Sequence, residues 1–478
     1  MTAPLILGTN SVADDRYEIA NSCRFDRSDH CLIKTFSSAG NRKKFTFSLW
    51  IKLSGRGSGN NNGLLVAGTS GQDEGTIKLS NDSVNWSEYD TGSASTIGNL
   101  TTNQLFRDYS AWSHLVFVWD TGNATAGDRM KIYHNGSRIT SFSSSQNPTQ
   151  NYDAQINNNV THNIARQSWN NSGDFNGYMA EIFFLDGQAL TPDSFGEYDS
   201  ASNIWIPKDC KDNLTFGSNG YYLDFADSSS LGNDVSGNNN DWTINNLTST
   251  DQTTDTPTNN FANFFSDYAE NDSESAVEEG NTKVSFSVVG SSGNAHSNIA
   301  INNNGKWYAE FKMSGTAAYG EPVVGINDLI GWSGGIGYNS DRPDDSIGYQ
   351  TSGAIKQGGS SLLTASTWGN NDIIQVAFDG TTGRIYFGKN GTWQNSGDPS
   401  AGTGYVGTAP MTSDYIGFAV GGNGGTGSTG TQVMLANFGN PPYSISSGNS
   451  DANGYGNFEY TVPTGYYALC TKNLAEYG

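Results

Sequence analysis

Two acid pairs in this chain, Glu88-Tyr89-Asp90 and Glu197-Tyr198-Asp199, have the spacing that puts both carboxylates on one face of a strand. Cleavage of a glycosidic bond uses such a pair, one acid to protonate the leaving oxygen and one to attack or to activate water. A second kind of chemistry is suggested by the loop Asp234-Val-Ser-Gly-Asn-Asn-Asn-Asp241, which concentrates side-chain oxygens at short spacing. That composition suits Ca2+, with Asp234, Asn238 and Asp241 as ligands, although no Glu stands where an EF-hand needs one. The opposing reading is that Asx-rich loops satisfy their own turns. Trp86, Tyr89, Trp169, Trp332 and Trp393 lie beside Asn, Ser or Gly, a setting that suits sugar stacking or a protein contact. Against that stands the habit of rings at strand ends to close a core. Trp50, Trp112, Trp119 and Trp307 fall inside strand motifs and are expected in the core.

Other reactive groups lead nowhere. None of the five histidines pairs with Ser or Cys in a recognisable nucleophile setting, and His114 sits in an apolar strand as a packed or hydrogen-bonded residue. The Gly-rich run 421–430 lies between strands, so it reads as a flexible loop and not as a phosphate cradle. No catalytic residue is assigned. Cys23, Cys31, Cys210 and Cys470 lack metal-ligand spacing and read as free thiols, although Cys23 and Cys31 could bridge neighbouring strands.

The elements that must position these residues are strands. With 478 residues, two or three domains are expected. Hydrophobic residues reach only 35% while aromatics reach 12%, which suits thin sandwiches filled by a few large rings. A formal charge of −22, with no basic cluster longer than Arg42-Lys43-Lys44, excludes nucleic acid as a partner. The start of the chain shows no basic region followed by an apolar run, and no stretch reaches transmembrane length. Synthesis in a cytosol, without signal peptide or membrane insertion, is the expectation.

Period-2 alternation runs through the chain, and no amphipathic helix of three turns stands out. Phe45 to Lys52 places Phe45, Phe47, Leu49 and Ile51 on one face. Leu115, Phe117 and Trp119 alternate with Val116 and Val118, which predicts burial on both faces. Lys131 to Gly136 runs into an Asn-Gly hairpin turn, Tyr178 to Leu185 reads as a strand, and Thr191-Pro192 opens one short helical turn. Residues from about 205 to 265 change character: Tyr221 to Phe225 is strand-like, followed by polar loops and a Thr/Asn/Asp-rich run. Strands then resume at Trp307 to Met313, Val323 to Ile326, Ile373 to Phe378, Arg384 to Phe387 and Val433 to Phe438.

The ordered fragments Phe45-Thr-Phe-Ser-Leu-Trp50, Trp112-Ser-His-Leu-Val116, Ile132-Tyr-His-Asn-Gly136, Phe175-Asn-Gly177, Ala180-Glu-Ile182 and Ala189-Leu-Thr-Pro192 resemble the laminin-G-like, concanavalin A-like lectin superfamily. Retaining β-glucanases on that scaffold carry a third acid two residues beyond the pair. Here Gly92 and Ala201 occupy that position, so the resemblance implies binding and not hydrolysis. Gly305-Lys-Trp-Tyr-Ala-Glu310, Val323-Val-Gly-Ile326, Gly335-Ile-Gly-Tyr338, Asp372 to Asp379, Ile385 to Gly391 and Leu435-Ala-Asn-Phe-Gly439 resemble a SPRY domain, an interaction module. Both together, with the segments Leu231 to Trp242 and Pro463 to Leu474, resemble virion proteins of tailed phages, particularly marine ones.

The expected fold is all-β: two antiparallel, jelly-roll-like sandwiches, residues 1–205 and 265–478, joined by a polar bridge and linker over 206–264. The resemblance implies a surface-displayed virion component, a tail fibre or head decoration. Its partners would be host-surface polysaccharide and neighbouring virion proteins, with homotrimeric assembly compatible and Ca2+ the one cofactor suggested. A polysaccharide depolymerase and a purely structural assembly protein are the alternatives.

Overall fold

In the strand Lys44–Leu53, Phe45, Phe47, Leu49 and Ile51 point one way and are fully covered, as the alternation requires. The computed structural model that shows this describes residues 16–478, apart from 56–60, 69–72, 91, 93–94, 167–172, 266–274, 288–291, 302–303, 316–320, 329–335, 337–345, 412–415 and 424–430. The chain is all-β and divides into two compact units, with the boundary between Thr258 and Asn259. Among the described residues the one α-helix is Thr471–Tyr477, and no helix is long and apolar enough to cross a membrane.

The first unit holds two eight-stranded sheets and a small two-stranded one, all paired antiparallel. In one large sheet Lys44–Leu53 lies between Trp112–Asp120 and Gly177–Asp186. In the other, Asn61–Gly68, Glu74–Ser80, Ser83–Asp90, Ser95–Leu105 and Phe142–Gln146 follow one another as neighbours. The two sheets share one core in which Phe45, Phe47 and Leu49 meet Ile77, Leu79, Trp86 and Leu100. Asn135 and Gly136 both take positive φ at the tip of the expected hairpin.

Trp112–Asp120 is buried on both faces, as its sequence predicts: Leu115, Phe117 and Trp119 enter the main core, Val116 and Val118 a second cluster. That second cluster needs a cover, and residues 195–258 provide it. The stretch expected as a bridge instead contributes Tyr221–Leu223, Thr243–Asn245 and Gln252–Thr253 to the two large sheets. Residues 259–264 belong to the other unit, where Phe261 bridges to Cys470 and Phe264 to Ser297. Sequence reading found the strand at Tyr221–Leu223 but missed Thr243–Asn245 and Gln252–Thr253, which are below the length at which alternation registers.

The cover is held by buried charge. Lys52 and Asp255 have fully buried side chains 2.7 Å apart, and Asp255 also accepts from the Trp112 indole N–H at 3.0 Å. Glu181, at a bulge in Gly177–Asp186 with φ 50°, accepts from the Tyr222 hydroxyl at 2.6 Å and the Tyr17 hydroxyl at 3.1 Å. The four cysteines are buried and free. Cys23 and Cys31 lie in different sheets, so the open question of a bridge between neighbouring strands closes.

The second unit repeats the plan. A nine-stranded sheet contains Lys306–Ser314 between Thr431–Asn437 and Ile373–Asp379, and a six-stranded sheet contains Val323–Asp328. One core joins them through residues such as Phe311, Ile326, Tyr349, Phe387 and Phe418. The opposite face of the larger sheet, with Tyr308, Ala377 and Tyr386, is covered by Phe458, Val462, Tyr466 and Ala468. Glu310 fastens that cover, accepting from the Glu459 and Tyr460 amides at 2.9 and 2.8 Å, the Tyr308 hydroxyl at 2.9 Å and the Asn437 amide at 3.2 Å.

Two measurements test this account. Removing one partner of a fully buried ion pair strands the other charge, so Asp255→Ala is expected to cost about 3–5 kcal/mol in chemical denaturation. Restoring apolar packing with Lys52→Met and Asp255→Leu together is expected to recover most of that loss. The pH profile follows from burial. It raises the carboxyls of Glu88 and Glu181 to about 8 and about 7 and lowers His114, His134 and His162 to about 3, 4 and 4. Below an ordinary carboxyl value the unfolded first unit binds all five protons and the folded one only the two on the carboxyls, so stability falls with acid. Above an ordinary histidine value the folded unit alone holds its two carboxyl protons, so stability falls as pH rises towards 8. In between, three histidine protons on the unfolded chain exceed the two on the folded one by one, so stability still rises with pH, though less steeply. Calorimetry is expected to find the melting temperature rising from acid pH to a maximum at about pH 6.5 and falling beyond it.

Candidate ligand-binding face

The first unit's outer sheet face is where functional side chains have room. On Ser83–Asp90, Val84 and Trp86 turn into the core while Asn85, Ser87 and Tyr89 turn outward and are half-buried. Register then aligns polar residues across neighbouring strands. Thr76, Ser87, Asn99 and Gln146 form one row, Lys78, Asn85, Thr101 and Ser144 the next, and Glu74, Tyr89 and Thr96 a third. Every position in the first two rows is a hydroxyl, an amide or an ammonium.

These side chains are fixed by one another. The Asn85 amide donates to Asn99 Oδ1 and to Thr101 Oγ1, both at 2.9 Å, and the Asn99 amide donates to Ser144 Oγ at 2.7 Å. Thr76 donates to Glu74. Burial pulls the Lys78 ammonium below its ordinary pKa, with Glu74 opposing. A grid of ordered donors and acceptors ending on the Tyr89 ring can hydrogen-bond hydroxyls and stack one apolar sugar face.

The expected site residues are dispersed. Trp86 is a correction: it is 0% exposed and packs against Phe45, Phe117 and Trp119, because its position in the alternation points inward. Tyr89 lies on the open face. Trp393, on Thr392–Trp393 in the second unit, is half-buried against the covered face of the larger sheet. Trp169 and Trp332 lie outside the described residues.

The acid pairs are not matched on an open face. Glu88 is buried, with Oε1 accepting from the Gln155 amide at 2.5 Å, and burial lifts its carboxyl to about 8. Asp199 accepts from the Ser202 amide and hydroxyl, both at 2.6 Å, inside its own turn, while Glu197 is exposed. His114 does contact a hydroxyl, Ser48 Oγ, at 2.8 Å, but the Trp205 indole donates to its Nδ1 at 3.0 Å. An indole N–H only donates, so Nδ1 is the acceptor and the ring proton sits on Nε2, facing Ser48. That tautomer cannot take a proton from the serine.

The Asx loop is brought together, but by hydrogen bonds. Asp234 Oδ1 accepts from the Tyr222 and Ser236 amides at 2.9 Å, and Oδ2 from Ser236 Oγ and the Asn240 amide at 2.9 and 2.8 Å. Asp241 accepts from the Asp234 amide, and the Asn238 side chain turns its N–H groups to the carbonyls of Gly217 and Gly220. Both Asp234 oxygens are occupied by donors, so of the expected ligands Asp234, Asn238 and Asp241 the first stabilises its own turn and presents no free oxygen to Ca2+. Among the described residues no group of three or more His, Cys, Asp or Glu could hold a metal ion.

Residues 25–194 match the family model described as the concanavalin A-like lectin/glucanases superfamily, so the first unit carries a concanavalin A-like lectin domain. Membership of that superfamily is consistent with Ca2+ binding. Among solved structures, the SPRY domain of human HERC1 is 18% identical, covering 36% of this chain and 96% of its own, with a TM-score of 0.29. A heptameric SAP-like pentraxin from Limulus polyphemus is 17% identical, covering 37% and 80%, with a TM-score of 0.27. A putative carbohydrate binding protein from Bacteroides ovatus is 17% identical, covering 48% and 60%, with a TM-score of 0.32. No curated protein matches the chain.

If the loop is held by hydrogen bonds alone, Asp234→Ala should lower stability by about 1–3 kcal/mol in buffer containing a chelator. A loss seen only when Ca2+ is added would restore the metal reading.

Proposed function

We propose that this chain is a non-catalytic, carbohydrate-binding surface protein whose first unit grips polysaccharide on the outer sheet face around Asn85, Asn99, Thr101 and Tyr89. The observation that carries the reading is the register-aligned grid of amides and hydroxyls on an open sheet. The superfamily match over residues 25–194 supports it. A hydrogen-bonded grid is pre-organised, so little side-chain freedom is lost on binding.

We further propose display on the outside of a tailed-phage particle, as a tail fibre or head decoration beside other virion proteins. The segments Leu231 to Trp242 and Pro463 to Leu474, which resemble such virion proteins, motivate this. Single shallow sites gain strength when several copies, for example in a homotrimer, engage one surface.

Glycan-array binding of the full chain is expected to fall about tenfold on substituting Tyr89→Ala together with Asn85→Ala, with the melting temperature unchanged. Release of new reducing ends from the bound glycan would replace the adhesion reading with hydrolysis. Immunogold labelling of particles from the source is expected on the tail or capsid, and bare particles would remove the virion assignment.

A further inference from the structure

Among the described residues the second unit carries one arginine, Arg384. Arg384 opens the strand Arg384–Lys389 and lies on the outward face, in register with Asp379 on one side and Thr408 on the other. Among the described residues it enters no ion pair. Its cross-strand neighbour Asp379 is committed elsewhere, to Lys306 at 3.4 Å and to the amides of Thr381 and Thr382 at 3.0 and 3.2 Å. In a chain of net charge −22 this guanidinium, like those of Arg42 and Arg129, is held by backbone carbonyl and not by a carboxylate.

Its position is nonetheless fixed. The guanidinium carbon lies 4.9 Å from the centroid of the Tyr405 ring, and Nη1 donates to the Gly402 carbonyl at 3.1 Å. A Cβ on Gly402 would come within 3.3 Å of Nη1, so glycine admits the close approach. The loop presenting Tyr405 is closed by the Asp398–Thr403 bridge and by the Asn395 amide donating to the Tyr405 carbonyl at 3.2 Å. Tyr405 itself is 41% exposed. Trp393 adjoins the same loop: a Cβ on Gly397 would lie 3.5 Å from Trp393 Cβ and 3.2 Å from the Gly404 carbonyl oxygen.

We propose that Arg384, Tyr405 and Trp393 form a subsite for a carboxylate-bearing sugar of an acidic polysaccharide. Stacking on Tyr405 holds the guanidinium plane while one N–H of its five is taken by Gly402, leaving donors for a bidentate carboxylate. The rings supply apolar surface for the sugar face, which a carboxylate on a flexible peptide side chain would not need. A chain this acidic repels polyanions at long range, so an acidic glycan needs such a local cation to bind at all.

Affinity electrophoresis of the full chain in gels containing polygalacturonate or neutral dextran tests this. Retardation by polygalacturonate beyond that by dextran is expected, weakened about tenfold by Arg384→Gln and by Tyr405→Ala. Unchanged melting temperatures would certify the fold of both variants. Tyr89→Ala should keep the polygalacturonate response, which separates this subsite from the first-unit face. Equal retardation by both polymers, or an Arg384→Gln variant that binds like the parent, overturns the proposal. Retardation by polyglutamate matching that by polygalacturonate would assign the cation to protein carboxylates instead and overturn the sugar reading.

Discussion

A sheet whose central strands are apolar on both faces must be covered twice, and each unit contains one such sheet. The first cover is the partner sheet of the sandwich. The second is irregular chain, residues 195–258 in one unit and the segment around 440–470 in the other. Irregular backbone carries polar groups that cannot be buried unpaired. Buried carboxylates meet that demand, each accepting several N–H or O–H donors at once. Asp234 and Glu310 collect four donors apiece, and Asp451 gathers the amides of Asn453, Tyr455 and Ala468 with the Asn473 side chain.

This use of acids explains why the chain is rich in carboxylates yet offers no matched catalytic pair among those singled out. Glu88 and Asp199 are consumed by architecture, as are both oxygens of Asp234. Polar groups placed to meet a ligand lie on the outer face of the second sheet, on the strands Ser83–Asp90 and Ser95–Leu105. There Ser87 and Asn85 and their partners Asn99 and Thr101 stay half-buried, while Thr76 is buried.

Much of the fold was legible because period-2 alternation is strong wherever strands exceed about four residues. Lys44–Leu53, Trp112–Asp120, Gly177–Asp186 and Lys306–Ser314 fall where the sequence puts them, and the Asn135-Gly136 turn is where a hairpin demands it. Thr243–Asn245 and Gln252–Thr253 were not legible, since two or three residues in a Thr/Asn/Asp-rich run carry no period. The candidate site was half legible. The same alternation that exposes Tyr89 buries Trp86 three positions earlier, a distinction that local polarity conceals. Tyr405 and Arg384 gave no signal because their meeting depends on a loop closing, and the Lys52–Asp255 pair spans 203 residues.

The return of residues 252–253 to the strand Ser22–Phe25 has a consequence for how the first unit comes into being. Cys23 pairs with Met179 on one side and Gln252 on the other, so its strand is completed only by chain made much later. Contacts of such sequence separation make folding slow, and a nascent chain that has passed only residue 200 has an uncovered apolar sheet face. Once closed, the same arrangement works in reverse. The strand nearest the start of the unit is flanked on both sides by later strands, so the unit cannot fray from that end by releasing one edge. Persistence of the unit then rests on a topological seam and not on disulfides, the four cysteines being free.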